Sequence, residues 1–267
     1  MTNVEKNKDL FAPPFCETVE TFIAPIPTFK FETTNSLRIG GGWKYFNQLK
    51  VIQKNNDSYV EVIMSTSKLL SSSKTHSKSC LLRAEMNLEN ILKQRLPYSK
   101  LDMSEPHIMG IVNINSDSFY KNSQKIDYGS VKKTFEKMQR FGASIIDLGG
   151  ESTRPGSKKI SASEEQDRVI QIIQSLKEHN YKSLISLDTR NFSTMKKGYR
   201  KGVDIINDIT GFNDKKKIDF VSKNKTPIVV MHMQRDPENM QKNPKYNFAP
   251  IDISVSYTHL RAHETID

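Results

Sequence analysis

From His107 onward the chain alternates short, nearly continuous apolar runs with segments whose apolar residues recur every three or four positions. His107-Ile108-Met109-Gly110-Ile111-Val112-Asn113 reads as a strand. Val131, Phe135, Met138 and Phe141 then fall at helical spacing up to Gly142. Ile145-Ile146-Asp147-Leu148 is a second strand. Ser161 opens the next helix, with Glu164 completing a capping box and Val169, Ile172, Ile173 and Leu176 forming the apolar face. Strands over 183–188, 203–208 and 227–231 follow, separated by a short helix around Met195 and a lysine-rich helix ending near Lys225. Five apolar strands alternating with four helices predict a parallel sheet, either doubly wound or a (β/α)8 barrel.

The first hundred residues are patterned more weakly. Pro13-Pro14, Pro25 and Pro27 break the opening stretch, Gly40-Gly41-Gly42 marks a turn, and Tyr59-Val60-Glu61-Val62-Ile63-Met64 is strand-like. The Ser-, Thr- and Lys-rich stretch 65–79 reads as a polar loop or linker. Leu81, Leu88, Ile91 and Leu92 then give an amphipathic helix stopped by Pro97. The division expected is a small α+β accessory region over 1–100, followed by the repeating β/α region.

Polar residues concentrate at one kind of position in that repeat. Asn113, Glu151 to Arg154, Asp188-Thr189-Arg190, Asn207-Asp208 and His232 all follow the C-terminal ends of strands. In a parallel barrel those ends converge on the face where ligands bind. The loop Gly149-Gly150-Glu151-Ser152-Thr153-Arg154-Pro155-Gly156 suits an anion. Its glycines let backbone approach closely, Ser152 and Thr153 can donate, and Arg154 offers a planar charged fork. No Gly-x-Gly-x-x-Gly follows the first strand, which disfavours a dinucleotide fold.

Charge and cysteine usage narrow the picture. The 267 residues carry a formal charge of +10, but the basic residues are scattered and do not interleave with aromatics, so nucleic-acid binding is not expected. A moderate positive field also suits a substrate bearing pyrophosphate. Cys16 and Cys80 form neither a disulfide framework nor a metal-ligand spacing, and no stretch approaches the ~20 apolar residues of a membrane span. A cytoplasmic protein without membrane partners is the expectation.

The strand ends also resemble a known family, the dihydropteroate synthases of folate biosynthesis. The resemblance begins at Leu101-Asp102-Met103-Ser104 and fades near Asn247. Its most specific part is Ile145-Ile146-Asp147-Leu148 with the loop to Gly156. Ile185-Ser186-Leu187-Asp188-Thr189, Ile205-Ile206-Asn207-Asp208-Ile209 and Met231-His232-Met233-Gln234 follow in the family's order. The resemblance implies a transferase on a (β/α)8 barrel, joining 4-aminobenzoate to the 6-hydroxymethyl carbon of a 7,8-dihydropterin diphosphate and expelling pyrophosphate. It assigns Asp188 and Asn207 to the pterin edge and Met231 to packing near the ring. Asn113 falls to the shell of a Mg2+ that holds pyrophosphate, and Ser152, Thr153 and Arg154 to ordering the second loop over substrate. Asp188, Asn207 and Arg154 are thus the candidate catalytic residues, and a homodimer is the implied assembly of the full-length protein.

The sequence departs from the family at two places. The first loop, Asn113-Ile114-Asn115-Ser116-Asp117-Ser118-Phe119-Tyr120-Lys121-Asn122-Ser123, keeps Asn, Asp, Ser and Phe but lacks the family's Thr-Pro pair and Asp-Gly-Gly tail. The later Asp-Pro-Gly, Ser-Arg-Lys and Arg-x-His strand ends are absent. Residues 254–267 read as translated sequencing adaptor, so the expectation is about five of eight β/α units over 101–253, and a polypeptide that is poorly soluble and inactive as written. A methyltetrahydrofolate-type pterin methyltransferase and a non-catalytic pterin-binding or scaffolding protein are the alternatives.

Overall fold

In a computed structural model the described residues are 20–28, 35–55, 58–72, 78–114, 120–121, 125–151, 159–232, 234, 243–246, 249 and 253. Two compact units are present, Met1–Pro97 with Asp102–Pro106, and Tyr98–Leu101 with His107–Asp267.

The first unit is built on β1 (Glu20–Pro25), β4 (Gln48–Asn55) and β5 (Ser58–Ser65), an antiparallel sheet of order β1-β4-β5, beside the short pair β2 (Leu37–Arg38) and β3 (Tyr45–Phe46). Leu49, Val51 and Gln53 alternate onto the buried face of β4, where Gln53 Nε2 donates to Thr21 Oγ1 at 3.1 Å. The helices α1 (Thr66–Ser72) and α2 (Lys78–Leu92) add Leu69, Ala84 and Leu88 to a core with Phe46, Val60 and Met64. The expected polar loop over 65–79 is thus partly helix: Ser65 Oγ accepts from Lys68 N at 3.2 Å as a cap, and buried Leu69 anchors the turn. Strand β1 escaped detection because Pro25 read as a breaker, yet an edge strand tolerates proline at its end. The turn at Gly40 and Gly41 is real, with φ of +59° and +74°.

The second unit carries β6 (Ile108–Asn113), β9 (Ala143–Gly149), β10 (Leu184–Asp188), β11 (Ile205–Asp208) and β12 (Ile228–Val230). They form a five-stranded sheet, order β12-β11-β10-β9-β6, with every pairing parallel. Between β6 and the first helix lies a small antiparallel pair, β7 (Tyr120–Lys121) and β8 (Lys125–Ile126). The helices are α3 (Tyr128–Arg140), α4 (Ala162–Glu178), α5 (Phe192–Arg200) and α6 (Lys215–Lys223). Ser161 caps α4 as expected, its side chain accepting from Glu164 N, and Asp127 and Asp214 cap α3 and α6. Phe141 is not part of the apolar face of α3: it is the residue after the helix and is 75% exposed.

One face of the sheet packs on the helices through Val112, Ile146, Leu148, Ile185, Leu187 and Ile206, with Phe135, Ile173 and Met195 fully buried opposite. The other face has a separate apolar floor of Ile145, Leu184 and Ile205, against which Tyr98 and Leu101 pack. Tyr98 donates to Ile228 O at 2.7 Å. Helix α5 lies close on the sheet at Gly198, where an added Cβ would lie 2.3 Å from Leu187 Cδ2. This is the β/α layering of the expected barrel fold, with the apolar floor at one end and the polar strand ends at the other.

Truncating Phe135 to alanine removes a fully buried ring from the helix–sheet interface. Urea unfolding should show a loss of about 3–5 kcal/mol.

Candidate functional site at the strand ends

The register of the sheet fixes which side chains meet. Asn113, Gly149, Asp188, Asn207 and Val229 form one row across the five strands, and Ile111, Asp147, Ser186 and Ile205 form the row below it. Side chains alternate along a strand, so these rows share the face that carries the apolar floor. Asn113, Asp188 and Asn207 therefore sit together, as expected from sequence. Gly149 is the gap between the first two: a Cβ there would lie 3.3 Å from Asn113 Oδ1 and 3.5 Å from Asp188 Oδ2. Met231 follows β12, and its carbonyl presses on Gly211, where a Cβ would approach to 2.7 Å at a φ of +65°. Ser152, Thr153 and Arg154 lie outside the described residues.

Acidic side chains crowd this end, and most have partners. Glu151 holds Arg190 bidentately, Oε2 to Nε at 2.7 Å and Oε1 to Nη2 at 2.8 Å. Asp208, fully buried on the helix side, pairs with Lys217 Nζ at 2.8 Å and accepts from Thr210 N, Thr210 Oγ1 and Phe212 N. Glu165 accepts from Asn191 Nδ2 at 3.0 Å. Asp147, 3% exposed, accepts from Asn207 Nδ2 at 3.0 Å.

Asp188 has no hydrogen-bonding side chain or cation beside it among the described residues. Burial, and then repulsion from Asp147, Glu165, Asp208 and Glu151, pushes its carboxyl up to about 8. Burial also raises Asp147; the Ser186 hydroxyl, near without meeting full hydrogen-bond geometry, offsets this first and the Asn207 amide second. A carboxyl poised near neutrality at a strand end makes Asp188 a candidate ligand-binding group.

The loop after β9 is held from behind. Arg168 Nη1 donates to Gly150 O at 2.8 Å, and a Cβ on Gly150 would come within 2.9 Å of Val169 and 3.1 Å of Glu165 O. Only glycine lets α4 approach this closely. Asp147, Ser186, Arg168 and Lys217 were not singled out from sequence as site residues. For Asp147 the signal was present, a charged residue inside an otherwise apolar buried strand.

Among the described residues no three His, Cys, Asp or Glu side chains are grouped to hold a metal, and no helix is long and apolar enough to cross a membrane. Asn113 offers a single neutral oxygen. That suits Mg2+ only as one contact to an ion completed by phosphate oxygens and water.

Fold and site together define a β/α protein whose five-stranded parallel sheet gathers a carboxyl and amides at the C-terminal ends of its strands. Residues 109–265 match the family described as pterin binding enzyme, so the chain belongs to that family. The match reaches into the segment expected to be non-native, which is outside the described residues. Dihydropteroate synthase of Haemophilus influenzae is 35% identical over 166 residues, covering 62% of this chain and 60% of the relative. That of Streptococcus pyogenes serotype M1 is 41% identical over 131 residues, 48% of each chain. The chain thus spans about half to three-fifths of the length of these relatives. Among solved structures, a Yersinia pestis dihydropteroate synthase in complex with a sulfonamide drug superposes with a TM-score of 0.54 at 34% identity, covering 60% of this chain and 58% of that one. A Xanthomonas albilineans dihydropteroate synthase with 4-aminobenzoic acid gives 0.54 at 28% identity, covering 62% and 58%.

The raised Asp188 carboxyl links stability to pH. The folded group keeps its proton up to about 8, whereas the unfolded group loses it near 3.8, so its folding penalty grows as pH rises between those values. Asp188→Asn should be as stable as wild type near pH 4 and more stable by about 2 kcal/mol or more at pH 8, measured by urea unfolding at both pH values.

Proposed function

We propose that this chain supplies the pterin-binding side of a dihydropteroate synthase, condensing (7,8-dihydropterin-6-yl)methyl diphosphate with 4-aminobenzoate to give 7,8-dihydropteroate and pyrophosphate. The observation that carries the reading is the row in which Asp188 lies beside Asn207 and faces Asn113 across Gly149. An amino-pyrimidine edge presents adjacent hydrogen-bonding groups. A carboxyl titrating near neutrality can meet it as an acid or as a carboxylate, and Asn207 extends the same hydrogen-bonded edge. Met231, at the end of β12, packs near the ring.

The chemistry needs no protein nucleophile. Departure of pyrophosphate from the pterin methylene leaves a cation delocalised over the ring, which the arylamine nitrogen attacks. In this reading Asp188 and Asn207 hold the ring, while Ser152, Thr153 and Arg154 order the second loop over the substrates. Asn113 contributes its side-chain oxygen to the shell of Mg2+, an ion that when bound offsets charge on the leaving diphosphate. A cytoplasmic location and a homodimer accompany the proposal, the latter open to sedimentation analysis.

The test is calorimetric titration of the full 267-residue chain with the pterin diphosphate, paired with an assay of pyrophosphate release in the presence of 4-aminobenzoate and Mg2+. Saturable pterin binding supports the reading, and absence of binding by folded protein overturns it. Binding without release by a chain extended to the length of its relatives would favour a non-catalytic pterin-binding role. Wherever release is measurable, Asp188→Asn should abolish it by mispairing the pterin; near-normal release by that variant would refute the role given to Asp188.

A further inference from the structure

Asn207 and Asp147 stand on strands that are not neighbours. Strand β10 runs between β9 and β11, and its residue level with Asp147 is Ser186. The Asn207 amide nevertheless reaches across β10 to Asp147 Oδ2 at 3.0 Å. It can do so because a small side chain occupies the intervening position. Ser186 is fully buried, and its Oγ, like Asp147 Oδ1, makes no hydrogen bond among the described residues. A carboxyl is thus buried two strands from Asn207, with one oxygen and the nearby Ser186 hydroxyl both short of full hydrogen-bond geometry. Packing alone gives no reason for that.

The contact does fix one thing, the direction of the Asn207 amide. A side-chain amide has one end that accepts and one that donates, and rotation by half a turn exchanges them. With Nδ2 donating to Asp147 Oδ2, the donor end of the amide is taken up inside the sheet and the accepting Oδ1 is the end left for a ligand. We infer that Asp147 is a positioning residue that locks Asn207 with its carbonyl oxygen facing the ligand, and that this lock selects ligands presenting an amino group there over those presenting a carbonyl. The inference rests on the pterin reading of the site. It adds that the exocyclic amino group is recognised through an orientation set one layer below, by a residue that does not touch the ligand.

Reversing the amide would bring its NH2 group against the ligand amino group and its oxygen against the Asp147 carboxylate, two repulsive contacts in a buried setting. Replacing Asp147 by asparagine removes the bias, because its amide can either donate to or accept from Asn207. The substitution changes neither side-chain size nor the apolar floor beneath.

The experiment compares 6-hydroxymethylpterin with 6-hydroxymethyllumazine, in which a carbonyl replaces the 2-amino group, by calorimetric titration of the full chain. The wild-type chain should prefer the pterin by about 30-fold or more. In Asp147→Asn the preference should fall to within about 3-fold, with lumazine affinity rising; a merely structural defect cannot produce that gain. Ser186→Val, which fills the gap but leaves Asp147 in place, should also lose the preference, whereas Ser186→Ala should keep it. An unchanged preference in Asp147→Asn, or equal weakening of both ligands, overturns the inference while leaving the pterin reading intact. Failure of the wild-type chain to bind either ligand overturns both.

Discussion

Five acidic side chains meet at the C-terminal end of the parallel sheet, and they cannot all be ionised without compensation. Two are paired with cations, Glu151 with Arg190 and Asp208 with Lys217, while Glu165 and Asp147 accept from the Asn191 and Asn207 amides and are both raised by burial. Asp188, at the centre, is left to the field of the others and takes a carboxyl pushed up to about 8. The rest of the unit can be read as what makes that arrangement tolerable. The compensating groups come from α6, from the turn after β10 and from β11, so the sheet's outer shell stabilises the end at which the ligand would sit.

The unit is therefore divided by height as well as by face. At the lower end Ile145, Leu184 and Ile205 form an apolar floor with Tyr98 and Leu101. One step up, Asp147 and Ser186 bring the first polar atoms into the sheet, and above them Asn113, Asp188 and Asn207 are purely polar. Such a gradient costs stability locally and is retained where binding repays it. The glycines serve the same end: Gly149 leaves room between two polar groups, and Gly150 lets α4 bring Arg168 to the backbone.

Most of the second unit was legible in the sequence, because apolar runs of strand length and helical spacings alternate there without interruption. Its five strands and four helices fall where that pattern puts them, and Asp188, Asn207 and Asn113 do converge. Less was legible in the first unit. Strand β4 reads as a mixed polar segment because Gln53 is buried against Thr21, a pairing across sequence that no local pattern reveals. Helix α1 depends on one apolar anchor, Leu69, in an otherwise polar stretch. In the site itself, Asp147 was visible as a charge in an apolar run, but its partner two strands away depends on register, which only the assembled sheet supplies.

Gly198, buried in α5, packs against the helix-covered face of the sheet, on the strand that ends in Asp188. With Leu187 Cδ2 only 2.3 Å from where its Cβ would be, even alanine must turn the Leu187 side chain aside, and the residue after Leu187 is Asp188. The close packing of α5 on β10 thus ties the shape of one face of the sheet to the place of a carboxyl on the other.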